Sequence, residues 1–207
     1  MKVFLASRNR KKIEEMERIL RLHLPEVEVL GIDDVEGYDE PVEDQATFEG
    51  NALLKARAGL AATGLPSLAD DSGLCVDALN GMPGVLSARW SGPPKDDDRN
   101  NTLLLAQLAD VPDERRGAHF MCAVAFVHAE GPAGEQCASG VMPGRVIREC
   151  RGTGGFGYDV LFEAEDRPGV TTAELSREDK DAISHRGWAL RRMAPIVARI
   201  LGAGQTG

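Results

Sequence analysis

Val3-Phe4-Leu5-Ala6-Ser7-Arg8-Asn9-Arg10-Lys11-Lys12-Ile13 decides the fold class, because the hydrophobic period changes within it. Val3 to Ala6 is an apolar run of strand length, whereas Ile13, Met16, Ile19, Leu20 and Leu24 recur at helical spacing until Pro25 ends the pattern. A buried strand, a polar loop and an amphipathic helix in succession are the entry of an α/β protein. Val27-Glu28-Val29-Leu30 reads as a second strand. Asp33 to Asp44 reads as an acidic surface loop whose carboxylates can still face a site.

Thr47 is a suitable N-cap for a helix with Phe48, Ala52, Leu53, Ala56 and Leu60 on one face, closed by Gly64 and Pro66. Asn51 and Lys55, four apart, share another face of it. In Leu68-Ala69-Asp70-Asp71-Ser72-Gly73-Leu74 the apolar run stops and a turn is expected, followed by Leu74 to Leu79 and a second turn at Asn80-Gly81-Met82-Pro83-Gly84. Ser91 to Asn101 is polar and reads as a mobile loop before a helix through Leu103 to Leu108. His119–His128 and Cys137–Ile147 read as a β-hairpin across the turn Glu130-Gly131-Pro132-Ala133-Gly134. A short strand at Val160-Leu161-Phe162 and a helix from Ser184 to Leu201 complete the chain. The pattern predicts a mixed α/β fold of one domain over residues 1–207, with two lobes around a cleft and a flexible tail of a few residues.

The 207 residues, 43% of them apolar, suffice for a substantial core. A formal net charge of -9 argues against nucleic acid or an acidic membrane as partner, since both demand a broad basic face. An anionic small molecule would need a local basic cluster, and Arg8, Arg10, Lys11 and Lys12 offer one, although such a run also suits a solvated surface. Cys75, Cys122, Cys137 and Cys150 lack zinc spacing and read as reduced thiols. With no run of signal-peptide or membrane-span length, a cytoplasmic location is the expectation.

Four segments carry chemistry. Ser7 to Lys12 lies between strand and helix, where unpaired N–H groups and the helix dipole favour an anion such as a triphosphate; the competing reading is a plain helix start. In Asp70-Asp71-Ser72-Gly73 two adjacent carboxylates near an interior need a cation, a shared proton or several donors. Asp71 would then bind Mg²⁺ or activate water, Asp70 support the metal, and Ser72 donate to a phosphate; a capped turn is the alternative. In Gly152-Thr153-Gly154-Gly155-Phe156-Gly157-Tyr158-Asp159, glycines admit a flat ligand, the aromatics can stack on a base and Asp159 can accept from a ring N–H, unless the segment is only a packed turn. Lys180, His185 and Arg186, near a helix start, suit base carbonyls or phosphate charge.

Taken in order, five segments closely resemble the inosine triphosphate pyrophosphatase family. They are Ser7-x-Asn9-x-x-Lys12, Thr47-Phe48-x-x-Asn51-Ala52-x-x-Lys55-Ala56, Ala69-Asp70-Asp71-Ser72-Gly73-Leu74, Gly152 to Asp159, and Ser184-His185-Arg186-Gly187. The resemblance covers nearly the whole chain. It implies an elongated mixed β-sheet flanked by helices, two lobes with a central active-site cleft, Mg²⁺ dependence and a homodimer. It also implies hydrolysis of dITP, ITP and XTP to monophosphate and pyrophosphate, which cleanses the nucleotide pool. By position it makes Asp71 the proton acceptor and, with Glu43, the Mg²⁺ ligand; in the mechanism expected here Lys12 and Lys55 stabilise negative charge. Ser7, Arg8, Asn9, Arg10, Lys11, Lys12, Ser72, Phe156, Gly157, Tyr158, Asp159, Lys180, His185 and Arg186 become substrate contacts. Two positions depart from the family pattern. Gly50 stands where glutamate is common, with Glu49 a doubtful substitute, and Trp90 stands where tyrosine is common.

Other classes stay open on the sequence. A pyrophosphatase of modified pyrimidine or methylated nucleotides, a phosphatase releasing orthophosphate, and a sensor that binds without hydrolysis would each use a similar set of residues.

Overall fold

In the computed structural model, residues 1–129 and 134–203 are described. The expected hairpin turn at 130–133 and the expected C-terminal tail at 204–207 lie outside the described residues. The chain begins with β1 (Lys2–Leu5), α1 (Arg10–Arg21) and β2 (Glu28–Leu30), as the change of period requires. Ile13, Met16, Ile19 and Leu20 form the buried stripe of α1, and β1 pairs in parallel with β2. Next come α2 (Phe48–Thr63), β3 (Ser67–Val76), α3 (Asp97–Gln107), β4 (Gly117–Val127), β5 (Glu135–Val146), β6 (Phe162–Ala164), α4 (Arg177–Ile183) and α5 (His185–Ala203). The six strands form one sheet in the order β2-β1-β3-β4-β5-β6. It is mixed, because β1 is parallel to β2 and β3 while β5 and β6 are antiparallel.

The chain packs as two compact units. One comprises Met1–Asp71, Ala123–Ser139 and Trp188–Gly207; the other comprises Ser72–Cys122 and Gly140–Gly187. Strands β3, β4 and β5 each contribute residues to both. In the first unit Phe4, Ile32 and Tyr38 form a buried cluster, with Phe4 and Tyr38 rings 5.1 Å apart. In the second, Leu74, Val76, Leu104, Phe120, Met142, Tyr158 and Phe162 share one core. Arg116 is buried in the second unit at 1% exposure. Its guanidinium donates to the carbonyls of Leu108 (2.7 Å), Val146 (2.9 Å) and Ile147 (2.9 Å), tying α3 to the end of β5.

Several boundaries differ from the sequence expectation. Asp70 to Gly73 is not a turn but the middle of β3. Gly73 serves close approach rather than reversal: a Cβ there would lie 2.5 Å from Gly84 O and overlap Ser87 Oγ, while the Leu74 N–H donates to Ser87 Oγ at 2.9 Å. The supposed mobile loop after Ser91 yields to α3 at Asp97, because Asp96 caps the Arg99 N–H (2.9 Å) and further aspartates suit a helix N-terminus. Val160 and Leu161 belong to a 3₁₀ turn, and the strand begins at Phe162. Helix α4 was not expected; Ser176 caps it through the Asp179 N–H at 3.1 Å. Thr47 and Gly64 bound α2 as expected, Gly64 with φ of 68°.

Candidate functional site

In the first unit, α2 and β3 present a lattice of carboxylates and lysines. Asn51 is fully buried, and its Oδ1 accepts the Gln45 N–H at 3.0 Å. That fixes the amide orientation, so Nδ2 must face Asp71, to whose Oδ2 it donates at 3.0 Å. One turn further along α2, Lys55 Nζ lies 2.6 Å from Glu43 Oε1 and 3.8 Å from Asp71 Oδ1. Lys12, from the first turn of α1, contacts both oxygens of Asp70 at 3.0 and 2.8 Å, and Asp70 is only 6% exposed. Asp70, expected to support a metal, is here ion-paired with Lys12.

Burial pushes the Asp71 carboxyl above its ordinary range. Lys55 and the Asn51 hydrogen bond oppose the shift, while the charges of Glu43 and Asp70 add to it. For Lys55, burial acts downward, but Asp71, the hydrogen bond to Glu43 and the further charges of Asp70 and Glu43 outweigh it and the net shift is upward. The group therefore has a cation shared by two carboxylates and one carboxylate with raised proton affinity. Glu43 and Asp71 supply the hard oxygen donors that a divalent cation takes. Among the described residues no set of three or more His, Cys, Asp or Glu side chains closes on a common point.

The Ser7–Lys12 loop is organised by its own side chains. Ser7 Oγ accepts the Asn9 N–H (3.1 Å), and Asn9 Oδ1 accepts those of Lys11 (3.0 Å) and Lys12 (3.4 Å). Arg8 pairs with Asp33 (2.7 Å) and Glu40 (3.5 Å), and Arg10 with Asp34 (3.2 Å), so the basic cluster is matched by the acidic loop. Gly50 cannot simply exchange for a larger residue, since a Cβ there would lie 2.8 Å from Gln45 Cβ. Glu49 faces β5, where Ser139 Oγ donates to it at 3.0 Å.

The second unit holds the glycine-rich turn. Gly155 (φ 75°) and Gly157 (φ 61°) adopt a backbone that side chains disfavour. The Gly157 N–H donates to Asp97 Oδ2 (2.7 Å) and its carbonyl accepts from Asn101 Nδ2 (2.9 Å), so one face of α3 grips the turn. Phe156 is 63% exposed, and Lys180 Nζ lies 5.4 Å from its ring centroid. Tyr158 does not present its ring: it is buried, with its hydroxyl donating to Ser87 O at 2.9 Å, and burial first, then Asp97, pushes its pKa upward. Asp159 is also buried and accepts from the Phe156 N–H (2.9 Å), Thr172 Oγ1 (2.8 Å) and Lys180 Nζ. His185 stacks on Phe120 at 5.0 Å, and Arg186 follows it at the start of α5. Trp90 Nε1 donates to Gln107 Oε1 at 2.8 Å.

Asn51 was visible in the sequence as a neighbour of Lys55 without a task. Asp97, Asn101 and Thr172 gave no motif, since each acts on a segment distant in the chain.

Ham1 is the family whose model matches residues 3–196. The chain belongs to the Ham1 family. The resemblance read from its motifs is thereby borne out. This Ham1 chain is 58% identical over 200 residues to a dITP/XTP pyrophosphatase of Nocardia farcinica, covering 96% of both. It is 54% identical to one from Mycolicibacterium paratuberculosis, covering 97% of this chain and 98% of the relative. Among solved Ham1 structures, a nucleoside-triphosphatase / dITP/XTP pyrophosphatase from Mycobacterium abscessus matches at TM-score 0.79 and 52% identity, over 95% of this chain and all of that one. A HAM1 protein from Coxiella burnetii matches at TM-score 0.88 and 37% identity, over 96% of this chain and 99% of that one. Among the described residues no helix is long and apolar enough to cross a membrane.

Proposed function

We propose that this chain hydrolyses dITP, ITP and XTP to the monophosphate and pyrophosphate, keeping non-standard purines out of DNA and RNA. The observation that carries the reading is the Glu43, Lys55, Asp71 and Asn51 lattice, with its shared cation and buried carboxylate. Full-length relatives described as dITP/XTP pyrophosphatases support the same chemistry.

The donor set suits Mg²⁺, which binds hard oxygens and uses one or two carboxylates beside phosphate oxygens and water. Held by Asp71 and Glu43, the ion would neutralise charge on the triphosphate oxygens. The remaining work falls to the chain. Asp71 accepts a proton from the water whose oxygen bonds to the α-phosphorus, the α-phosphorus bond to the bridging oxygen breaks, and pyrophosphate leaves. Its raised proton affinity supports that role. Asn51 fixes its orientation, and Lys12 and Lys55 stabilise negative charge. Ser7, Arg8, Asn9, Arg10, Lys11 and Ser72 bind phosphate oxygens, for which Arg8 and Arg10 exchange their acidic partners.

Phe156 stacks on the base, Gly157 allows its approach, and Tyr158 and Asp159 hold the turn from behind. Lys180 donates to the 6-keto oxygen of hypoxanthine or xanthine, with His185 and Arg186 nearby in sequence as further contacts. Adenine presents a 6-amino donor there, so its triphosphate leaves Lys180 without an acceptor. The chain works as one functional domain over residues 1–207, as a cytoplasmic homodimer. A nucleotide panel with Mg²⁺ and product identification tests the reading: kcat/KM for dITP and XTP should exceed that for dATP, with pyrophosphate as product. Equal values, or orthophosphate as product, would overturn it.

A further inference from the structure

We infer that Thr172 is a positioning residue for base selection, acting through the Asp159 carboxylate on both Phe156 and Lys180. Thr172 is 1% exposed and its backbone is pinned, its N–H donating to Phe162 O at 2.8 Å. The hydroxyl is therefore set in place, and it donates to Asp159 Oδ1 at 2.8 Å. With Oδ1 held inward, Oδ2 faces the Phe156 N–H (2.9 Å) and the Lys180 ammonium. A carboxylate turns easily about its Cβ–Cγ bond, and three donors on two oxygens fix that angle. One buried hydroxyl thus sets where the cation stands relative to the exposed ring, 5.4 Å from its centroid. Asp159 is itself buried, so the hydroxyl reaches the base through the groups that the carboxylate holds.

This rests on the assignment of Lys180 to the 6-keto oxygen, and the test separates the two. The kcat/KM ratio of dITP to dATP is measured for wild type, Thr172→Val and Thr172→Ser. Thr172→Val keeps the shape and loses the donor, so the ratio should fall roughly tenfold, mainly through a higher KM for dITP. Thr172→Ser, which keeps the donor, should restore it. If wild type discriminates and Thr172→Val discriminates equally, the inference is overturned while the proposed function stands; if wild type does not discriminate, both fail. Equal losses on both nucleotides in the valine and serine variants, accompanied by a lower Tm, would make Thr172 a packing residue and also overturn it. Should Thr172→Val not fold, Thr172→Ala, which also lacks the donor, decides beside Thr172→Ser: a ratio that falls in the alanine variant and is kept in the serine variant supports the role of the hydroxyl, and a ratio equal in both overturns it.

Discussion

Lys12 Nζ is clasped by both oxygens of Asp70, at 2.8 and 3.0 Å, and Asp70 is almost wholly buried. A carboxylate loses hydration on burial, and the Lys12 ammonium offsets part of that cost.

Lys12→Met should therefore destabilise the protein by about 2 kcal/mol, because it removes the ammonium that contacts both oxygens of a buried carboxylate. Adding Asp70→Asn should recover much of that loss. Urea denaturation of the two single variants and the double variant checks the cycle; independent effects that simply add would contradict the coupling.

Asp71→Asn should lower turnover by roughly 10²–10⁴-fold, as for loss of a general base. It should not lower Tm. The folded-state pKa of Asp71 is raised chiefly by burial, so the folded chain binds more protons than the unfolded chain between the ordinary carboxylate value and the raised one. Stability contributed by this group is greatest at low pH, declines as pH rises through that window, and stays reduced at neutral pH. Asparagine removes the penalty. A ¹³C titration of metal-free protein should place the Asp71 midpoint above about 3.9, and a midpoint below that value would contradict the assignment.

Gly50→Glu, which installs the residue that the motif resemblance leads one to expect there, should lower activity rather than raise it. Its Cβ would lie 2.8 Å from Gln45 Cβ and 3.2 Å from Thr47 Oγ1, and Gln45 supplies the N–H that orients Asn51. Displacing that segment should cost about 1–2 kcal/mol of stability as well. Higher turnover at limiting Mg²⁺ would show that the loop accommodates the carboxylate after all.

Phe156→Ala should raise KM for dITP by roughly tenfold, the scale of one base–aromatic stack, with little effect on Tm because the ring is 63% exposed. Steady-state kinetics with thermal melts would separate this from a packing role, which predicts the reverse pattern.

The sequence revealed most where local chemistry and period agreed. The strand-to-helix change at Val3 to Ile13 and the Thr47 and Gly64 boundaries of α2 follow from short-range rules. Asp70 to Gly73 misled because serine and glycine after two aspartates signal a turn, whereas Gly73 is there for the close approach of Ser87, a partner supplied by tertiary structure. Arg116, whose donors meet three carbonyls from two distant segments, carried no sign of burial in its local pattern. Of the candidate site, the titratable residues were legible from their motifs. The groups that aim them, Asn51 toward Asp71 and Thr172 toward Asp159, depend on contacts across long separations.

The interleaving of the two packing units also imposes an order on biosynthesis. Every segment of the second unit has been translated once Gly187 is joined, whereas the first still lacks the stretch beginning at Trp188. Ala189, Leu190, Met193, Ala194 and Val197 bury their side chains in that last stretch. A ribosome-bound chain thus holds its glycine-rich turn in finished sequence while the unit bearing Lys12, Lys55 and Asp71 awaits its final helix. The first unit therefore completes its packing later in translation than the second.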